Sequence, residues 1–556
     1  MRYILHIALV AVFTVITSAN SQELPEWTDP KPLNTNAEVD SRSDREQRVI
    51  LDSQGNGVAV WPGGTRGQTV LYATYAVESD SWSSPTWIYT HNQSDIQGDS
   101  SVSLATDNQG TWIAVWTSQY GINNTSDLSN YILYSLYDFE NDEWSTPSHV
   151  APDTGSVIGY HHFPNIVSAG QGIWMATWTT LDYNVANDEN ISYSLFDIDT
   201  GQWSTTKPLN SDTTTNRGDD SDIRVATDGH GELLAVWRNY RRFFGGAEEF
   251  KISYATFDAG LDSWSVPKTL AQMSGRGFSP EVSTDGLGNW ISVWTSDEPM
   301  DNVLQDVRYA TYDVPNDTWS SSMPLNTDSE LAQSSFEDRP HIAADDQGNW
   351  MAVWSSENRS AEIVDFDEVI LFSMYDVQTD SWTAPNPVNN DFDGDVVRNR
   401  SPRVATDGNG NWLISWAAIN TRYYDGDSDL FYARTPKTSF GGSGSGSVCF
   451  IATAAYGTPL AGEITVLREF RDARLLNNGV GTAFVDTYYR LSPPLAGIVS
   501  RYPAVANLVR TALAPLIAII SIGSSALVSI SLGAALLFGM HLRRRGAYRL
   551  KTNSTQ

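Results

Sequence analysis

Cysteine is all but missing. Cys449 is the single one in 556 residues, so no disulfide can form within the chain and stability has to come from packing. Cationic side chains are scarce as well: 35 Lys and Arg stand against 66 Asp and Glu, a formal net charge of −31. The deficit is uneven. From Cys449 onward 11 Lys and Arg face 4 Asp and Glu, a balance of +7, which leaves −38 for residues 1–448. A body that acidic does not attract nucleic acid or anionic lipid through its general field, and cations or basic partners are its natural company. Long apolar runs are confined to the two ends, and no catalytic motif interrupts the middle.

What the middle does contain is one phrase used seven times, a turn of the form Asp-x-x-Gly followed by a strand ending in Trp. It runs from Asp52 to Trp61, Asp107 to Trp116, Ala169 to Trp178, Asp228 to Trp237, Asp285 to Trp294, Asp345 to Trp354 and Asp407 to Trp416. First and last residue are nine apart each time, the copies recur every 55 to 62 residues, and only the third has lost its Asp. A repeat of this length, rich in strand formers and closed by turn residues, predicts an all-β chain with one propeller blade per copy. Each repeat offers four strands: an aliphatic inner run such as Arg403-Val-Ala-Thr406, the Trp-ending second strand, a Tyr-x-x-Tyr/Phe-Asp third strand, and an outer Trp-Ser-x-Pro. Proline suits an outer edge, where not every ladder hydrogen bond has to be donated.

The seventh repeat has no fourth strand after Tyr432. The missing piece is found at the other end, where Trp27 begins a segment whose Lys31-Pro-Leu-Asn34 matches Lys207-Pro-Leu-Asn210 in the third repeat. Trp27 precedes Trp61 by 34 residues, as Trp82 precedes Trp116 and Trp382 precedes Trp416. The expected fold is therefore a seven-bladed β-propeller over residues 22–436, closed by its N-terminal strand, with no open edge left to aggregate. Of the 20 Trp, 19 fall at three repeat positions, which predicts core packing rather than a sugar-stacking surface; Trp87 stands apart.

The ends predict a compartment. Arg2, the apolar run Ile4 to Ile16 and the small residues up to Ser21 have the pattern of a secretory signal peptide over 1–21. Residues 437–447, rich in Gly and Ser, read as a flexible linker. A small helical region is expected over 448–511, then a transmembrane helix at 512–541 around the uncharged run Leu516 to Met540, then a basic tail at 542–556 carrying Arg543, Arg544 and Arg545. The positive-inside rule puts that tail in the cytoplasm and the propeller on the extracytoplasmic side of the membrane.

Two sets of residues carry candidate chemistry. Four residues before the turn position lie Arg48, Ser103, Asn165, Arg224, Glu281, His341 and Arg403. They are expected to begin the innermost strands and to ring the channel mouth on the face that bears the long, variable connections, where binding usually sits. Arg48, Arg224 and Arg403, with Glu281 and His341, suit a carboxylate or phosphate ligand; structural ion pairing is the other reading of the same residues. Asp425, Asp427 and Asp429 alternate as calcium ligands do, but an EF-type loop begun at Asp425 would have Pro436 in place of its bidentate Glu.

Two resemblances follow from these residues. The Ala-Val-Trp second strands and Trp-Ser-x-Pro outer strands over about 24–435 resemble bacterial propeller repeats of the sialidase-like (BNR) type. That resemblance implies an alternative to a plain binding or interaction module, namely a glycoside hydrolase or lyase acting on acidic glycans. Asp199-Thr-Gly-Gln-Trp203 is one residue short of a complete sialidase box, there is no Arg-Ile-Pro segment, and no Tyr–Glu nucleophile pair can be assigned from the sequence. The tail, with Cys449-Phe-Ile-Ala-Thr-Ala-Ala-Tyr-Gly457, Leu467-Arg-Glu-Phe-Arg-Asp472 and Tyr488-Tyr489-Arg-Leu-Ser-Pro493, is similar to the bacterial CFI-box. It implies an exported envelope protein whose tail serves retention, sorting or processing, with Cys449 as a candidate modification point.

A linker without a packed partner should be the preferred site of protease attack. Limited proteolysis of membranes carrying the full chain is expected to cut within 439–447 and release the repeats whole; cuts falling mainly inside the repeats would show that the boundary is misplaced.

Overall fold

The computed structural model describes residues 24–435 apart from 37–43, 64–68, 90–97, 120–129, 140, 151–158, 183–187, 211–218, 230, 244–247, 274, 298–304, 326–334, 346–347, 359–367, 377–380, 389–396 and 421–427. The expected signal peptide, linker, helical region with Cys449, membrane span and basic tail lie outside the described residues, as do Asp425 and Asp427. Among the described residues the fold is nearly all β. The only helix there is a three-residue 3-10 turn, Val314–Asn316, and no helix is long and apolar enough to cross a membrane.

Each repeat forms an antiparallel sheet whose order follows the chain. In the second repeat Asp99–Thr106 pairs with Thr111–Ser118, which pairs with Tyr131–Asp138; the third strand then carries two short outer pairings, Glu143–Trp144 and Ser148–His149. The outer strand expected from Trp-Ser-x-Pro is thus split, because the proline interrupts the ladder between two-residue pairings. The turn chemistry is as expected. Asp52 Oδ1 accepts the N–H groups of Gln54 and Asn56, both at 2.9 Å, and the glycine ending each turn, from Gly55 (φ +85°) to Gly410 (φ +89°), is left-handed.

The first strands of the seven repeats adjoin one another in chain order, and the last, Val397–Thr406, lies beside the first, Arg48–Leu51. Apolar packing follows the same circuit. Each of the hydrophobic clusters is built by two consecutive repeats, and one joins Val49, Trp61 and Tyr75 of the first repeat to Leu413, Leu430 and Tyr432 of the seventh. The twelve Trp that begin or end second strands are all buried, ten of them below 2 % exposure except Trp116 and Trp290, whereas Trp87 is 44 % exposed. Single parallel bridges also cross between repeats: Asn130 with Tyr160, Gln305 with Phe336, and Glu368 with Arg398. The last of these merges the sixth and seventh repeats into one nine-stranded sheet, reinforced by the Arg400–Glu368 ion pair.

The N-terminal segment supplies the outer strand of the seventh repeat. Lys31 and Pro32 pair with Tyr432 and Phe431; Thr28 N–H donates to Arg434 O at 2.9 Å and Leu33 N–H to Leu430 O at 2.7 Å. Asn34 Oδ1 accepts Leu430 N–H at 3.0 Å, while its Nδ2 donates to Asp44 Oδ2 at 2.9 Å and to Asp429 Oδ1 at 3.0 Å. Asp429 therefore belongs to this joint, within the strand Ser428–Arg434.

A second device ties neighbours at the opposite end of the sheets. The turn between third and fourth strands holds an Asp in the left-handed region, as at Asp80 (φ +48°), Asp142 (φ +52°) and Asp317 (φ +49°), a conformation Asp tolerates better than most residues. Its carboxylate collects tyrosines from two repeats: Tyr137 and Tyr72 both donate to Asp142 Oδ1, at 2.7 and 3.2 Å, and Tyr312 and Tyr254 to Asp317 Oδ1, at 2.7 and 3.2 Å. Asp80 is where the circuit closes. It accepts from Tyr75 of its own repeat (2.8 Å), from Arg434 Nε of the seventh (2.5 Å) and from Lys31 Nζ of the N-terminal strand (2.6 Å). Burial opposes ionisation there, but the hydrogen bonds from Arg434, Lys31 and Tyr75 hold its carboxyl at about 2.

Because this acid is depressed in the folded state, its contribution is complete above the unfolded value near 4 and disappears as pH falls through about 2. Asp80→Asn should lower stability at pH 7 by roughly 1–2 kcal/mol after allowing for solvent screening. Denaturant melts of parent and variant should converge as pH falls from 4 towards 2; an offset that stays constant over that range would show that the charge of Asp80 does not fasten the joint.

A charged ring inside the central channel

The residues four before each turn do not begin the inner strands, as the sequence suggested. Only Arg48 does. The others stand mid-strand: Ser103 in Asp99–Thr106, Asn165 in Gly159–Gly170, Arg224 in Asp219–Thr227, Glu281 in Gly277–Thr284, His341 in Ser335–Ala344 and Arg403 in Val397–Thr406. The strands run on because each carries a β-bulge two residues earlier. Glu46, Ser101, Phe163, Asp222, Ser279, Arg339 and Ser401 all have φ between +50° and +61°, and the register slips at these points in the six repeats whose strands extend through them. A bulge adds one unpaired residue and re-aims the side chains beyond it. The set therefore forms a ring within the channel, below its mouth.

The second strands are also longer than expected. Residues 179–190 and 238–250, which read as loops, are largely hairpin: Ile173–Asp182 pairs with Asp188–Asp197, and Leu233–Arg242 with Glu248–Asp258. Their many polar residues hide the strand alternation, even though Thr179 and Asn239 among them are buried.

Around the ring, four of the seven side chains reach to the next repeat. Ser103 Oγ accepts Ile166 N–H at 3.3 Å, Asn165 Oδ1 accepts Val225 N–H at 3.1 Å, and His341 Nδ1 accepts Val404 N–H at 3.3 Å. Arg224 Nε donates to Glu281 Oε1 at 3.0 Å. The guanidiniums are steadied by carbonyls of their own strands: Arg224 Nη1 to Ile223 O at 2.8 Å, Arg403 Nη1 to Pro402 O at 3.0 Å, and Arg48 Nη1 to Gln47 O at 3.5 Å.

Side chains from the first, fourth, fifth, sixth and seventh repeats perturb one another, which brings all five candidate ligand residues to one centre. Burial lowers the Arg48 guanidinium well below its usual range, and the charges of Arg403 and Arg224 lower it further. Arg403 is lowered to about 10, by burial first and, against the pull of Glu281, by Arg224 and Arg339. Burial opposes Glu281, yet Arg224, His341, Arg403 and Arg48 hold its carboxyl at about 2. Burial pulls His341 down to about 3, so the imidazole is neutral with Nδ1 as acceptor. The ring thus offers fixed charges, three cations and one anion, and neither of its titratable groups lies where a general acid or base works.

Behind the ring lies a polar layer that sequence reasoning missed. Four residues before the ring positions stand Asp44, Asp99, His161, Asp220, Glu337 and Asn399, all buried, with Gly277 as the exception. Several meet the residue two past the strand-ending Trp: Asp220 Oδ1 accepts Asn239 Nδ2 at 2.5 Å, His161 Nδ1 lies 3.1 Å from Thr180 Oγ1, and Glu337 Oε1 accepts Ser356 Oγ at 2.8 Å. The signal was present, since the eighth residue before the turn is polar in six repeats of seven. A Tyr–Glu pair also exists: Tyr240 Oη donates to Glu248 Oε1 at 2.9 Å, exposed. Tyr240 pairs in register with Asp219, five residues before Arg224, so it belongs to the hairpin extension and not to the ring. Among the described residues no His, Cys, Asp and Glu cluster is arranged to hold a metal ion.

Neither a protein-family model nor a curated protein matches the chain. Among solved structures it is similar to a Dyadobacter fermentans protein of unknown function (12% identity, 74% of this chain and 98% of that one, TM-score 0.41). An ulvan lyase of polysaccharide lyase family PL25, bound to -[GlcA(1-4)Rha3S]-, matches at 8% identity over 70% of this chain and 94% of its own, TM-score 0.46. The leech intramolecular trans-sialidase matches at 10% identity over 77% and 72%, TM-score 0.40. Likenesses this remote leave function unaddressed.

Asp99 supplies the test of the buried layer. Burial pushes its carboxyl up to about 7, with Ser118 and Trp116 opposing. A raised acid favours the fold at low pH, and the penalty of ionising it grows as pH rises from about 4 and is complete above 7. Asp99→Asn should therefore stabilise the protein at pH 8 by more than about 1 kcal/mol and leave it unchanged near pH 4. A variant less stable at pH 8 would show that the carboxylate is needed ionised.

Proposed function

We propose that this chain is a seven-bladed propeller that acts as a binding module, held on the extracytoplasmic side of a bacterial membrane by its C-terminal segment. Seven blades are supported by the circuit of inner strands and by the apolar clusters that join consecutive repeats, the last to the first. The membrane tether rests on the sequence of 512–556 alone, and the CFI-box likeness of 449–515 fits an envelope role. The ligand, glycan or protein, presents an acidic group to the channel from the face that carries the long connections. One observation carries this reading: Arg48, Arg224 and Arg403 converge on Glu281, the one carboxylate at a ring position, inside a chain that is otherwise strongly acidic. Guanidiniums recognise carboxylate, sulfate and phosphate by paired N–H donors, and in partly buried surroundings those bonds count for more. The bulge ring above them adds exposed side chains at the mouth, Phe163 at 43 % exposure and Arg339 among them.

A glycoside hydrolase or lyase acting on acidic glycans is the alternative, and the Tyr240–Glu248 pair is the observation that favours it. The fixed protonation of Glu281 and His341 favours binding without turnover at the ring.

The full chain should be screened against glycan and acidic-peptide arrays. Binders are expected to bear carboxylate or sulfate, and Arg403→Ala or Arg224→Ala should weaken them by about 1.5–3 kcal/mol. Turnover of a bound glycan that is lost in Tyr240→Phe would replace the binding reading with the enzymatic one. Binders with no acidic group, unaffected by the arginine substitutions, would remove the ring from the site.

A further inference from the structure

Each ring arginine turns one Nη1 to the carbonyl of the residue before it, and among the described residues only Arg224 is also hydrogen-bonded to a carboxylate. Arg403 Nε is buried without a hydrogen-bond partner, and the one hydrogen bond of Arg48 is its long contact to Gln47 O at 3.5 Å. Two residues further along the inner strands six of seven positions are aliphatic, with Ile50 and Val167 the largest, so guanidiniums stand above an apolar layer of low polarity. At the ring itself three cations face one carboxylate, a positive excess that Glu46 and Asp222 of the bulge positions offset in part; Arg403 and Arg224 depress Arg48, and Arg224 and Arg339 depress Arg403. Unrelieved, such an excess works against the closed ring.

The arrangement also has a place in the closure. Arg48 and Arg403 stand on the first and seventh inner strands, which adjoin, and Gln47 spans the same joint, its Nε2 donating to Ser401 O at 3.1 Å and to Ser415 Oγ at 3.3 Å. Arg224 approaches from the fourth repeat across the channel. We infer that the ring holds one compact oxyanion as a resident keystone, bridging the guanidiniums of Arg48, Arg403 and Arg224 and so clamping the joint between the first and seventh repeats. The inference rests on the ring's taking anionic groups, as in the binding reading. It assigns the site a stabilising occupant even without an external ligand, one that the acidic group of an arriving ligand would displace. Carboxylate, sulfate and phosphate share the chemistry; all offer several oxygens to in-plane N–H donors.

Anything that binds the folded state alone stabilises it in proportion to the logarithm of its concentration. The full chain should be melted in sodium sulfate, sodium phosphate and sodium acetate from 0.1 to about 20 mM against sodium chloride at matched ionic strength, a range in which general salting effects are small. One of the three oxyanions is expected to raise the Tm by about 2 °C per tenfold increase once its Kd is passed. Arg403→Gln and Arg48→Gln should abolish that slope, and in chloride alone they should melt no lower than the parent, because they relieve repulsion. Glu281→Gln, which enlarges the positive excess, should lower the anion concentration at which the slope begins. Should a Gln variant fail to fold, Arg403→Lys keeps the charge but loses the planar fork, and it should retain a weakened slope. Equal slopes in parent and Arg403→Gln, or a parent indifferent to all three oxyanions, would overturn the keystone. Those outcomes leave the arrays to decide the binding reading, since array binding reports an external ligand and the melts report none.

Discussion

The constraint on which the rest depends is the joint between the two ends of the repeat array. Seven repeats that pack against one another in a circuit bury both faces of every second strand only if the last meets the first, and the chain achieves this by giving the seventh repeat an outer strand from its own N-terminal segment. The main-chain ladder at this joint is short. Side chains therefore do much of the fastening: Asn34 spans Asp44, Asp429 and the backbone of Leu430, and Asp80 gathers Tyr75, Lys31 and Arg434. The same Asp-centred device recurs at Asp142 and Asp317 between ordinary neighbours, where the chain is continuous. Closure thus strengthens at its weakest point an interaction used all round the molecule. With one cysteine, no covalent staple within the chain can take its place.

Much of this was legible. The nine-residue interval from turn to Trp marked every second strand, and twelve buried Trp confirm what those positions are for. The 34-residue interval from Trp27 to Trp61 placed the closing strand before any contact was seen, because a propeller with a missing strand has one place to find it. What could not be read were features that break the period of two. A bulge shifts a strand by one residue and uses ordinary side chains: Ser101, Asp222 and Arg339 carry left-handed backbone without a glycine to announce it. In four repeats a proline follows the bulge, at 164, 280, 340 and 402, and this was the only local mark. The hairpin extensions were hidden for a different reason: polar residues predominate in them, even at the buried Thr179 and Asn239, so pairing there leaves little hydrophobic signature.

The sequence left two readings of the ring open. An ordinary inter-repeat ion-pair lattice would match each guanidinium with a carboxylate, as Arg400 is matched with Glu368 and Arg434 with Asp80 on the same molecule. Arg224 and Glu281 do follow that rule. Among the described residues Arg48 and Arg403 form no such close pair, although the charges of Glu281 and Glu46 act on both. Their other neighbours round the ring are Ser103 and a neutral His341, each already committed as an acceptor to a backbone N–H of the next repeat.

The bulge that concealed the ring is also what makes it a ring. In an unbroken strand, residues at positions two apart share a face, so the left-handed residue and the ring residue would lie on one side and the buried polar layer on the same side again. The extra residue resets that alternation once in each repeat. Above it Asp220 and Glu337 are buried between strands and hydrogen-bonded there. Below it Arg224 and His341 project to the centre and touch the next repeat. A left-handed non-glycine residue costs on the order of 1 kcal/mol, and its recurrence in all seven repeats means that the sheet packing over-determines it. The scaffold thereby sets seven side chains, one from each repeat, at a common depth in the channel. In this chain three of those seven positions are arginine.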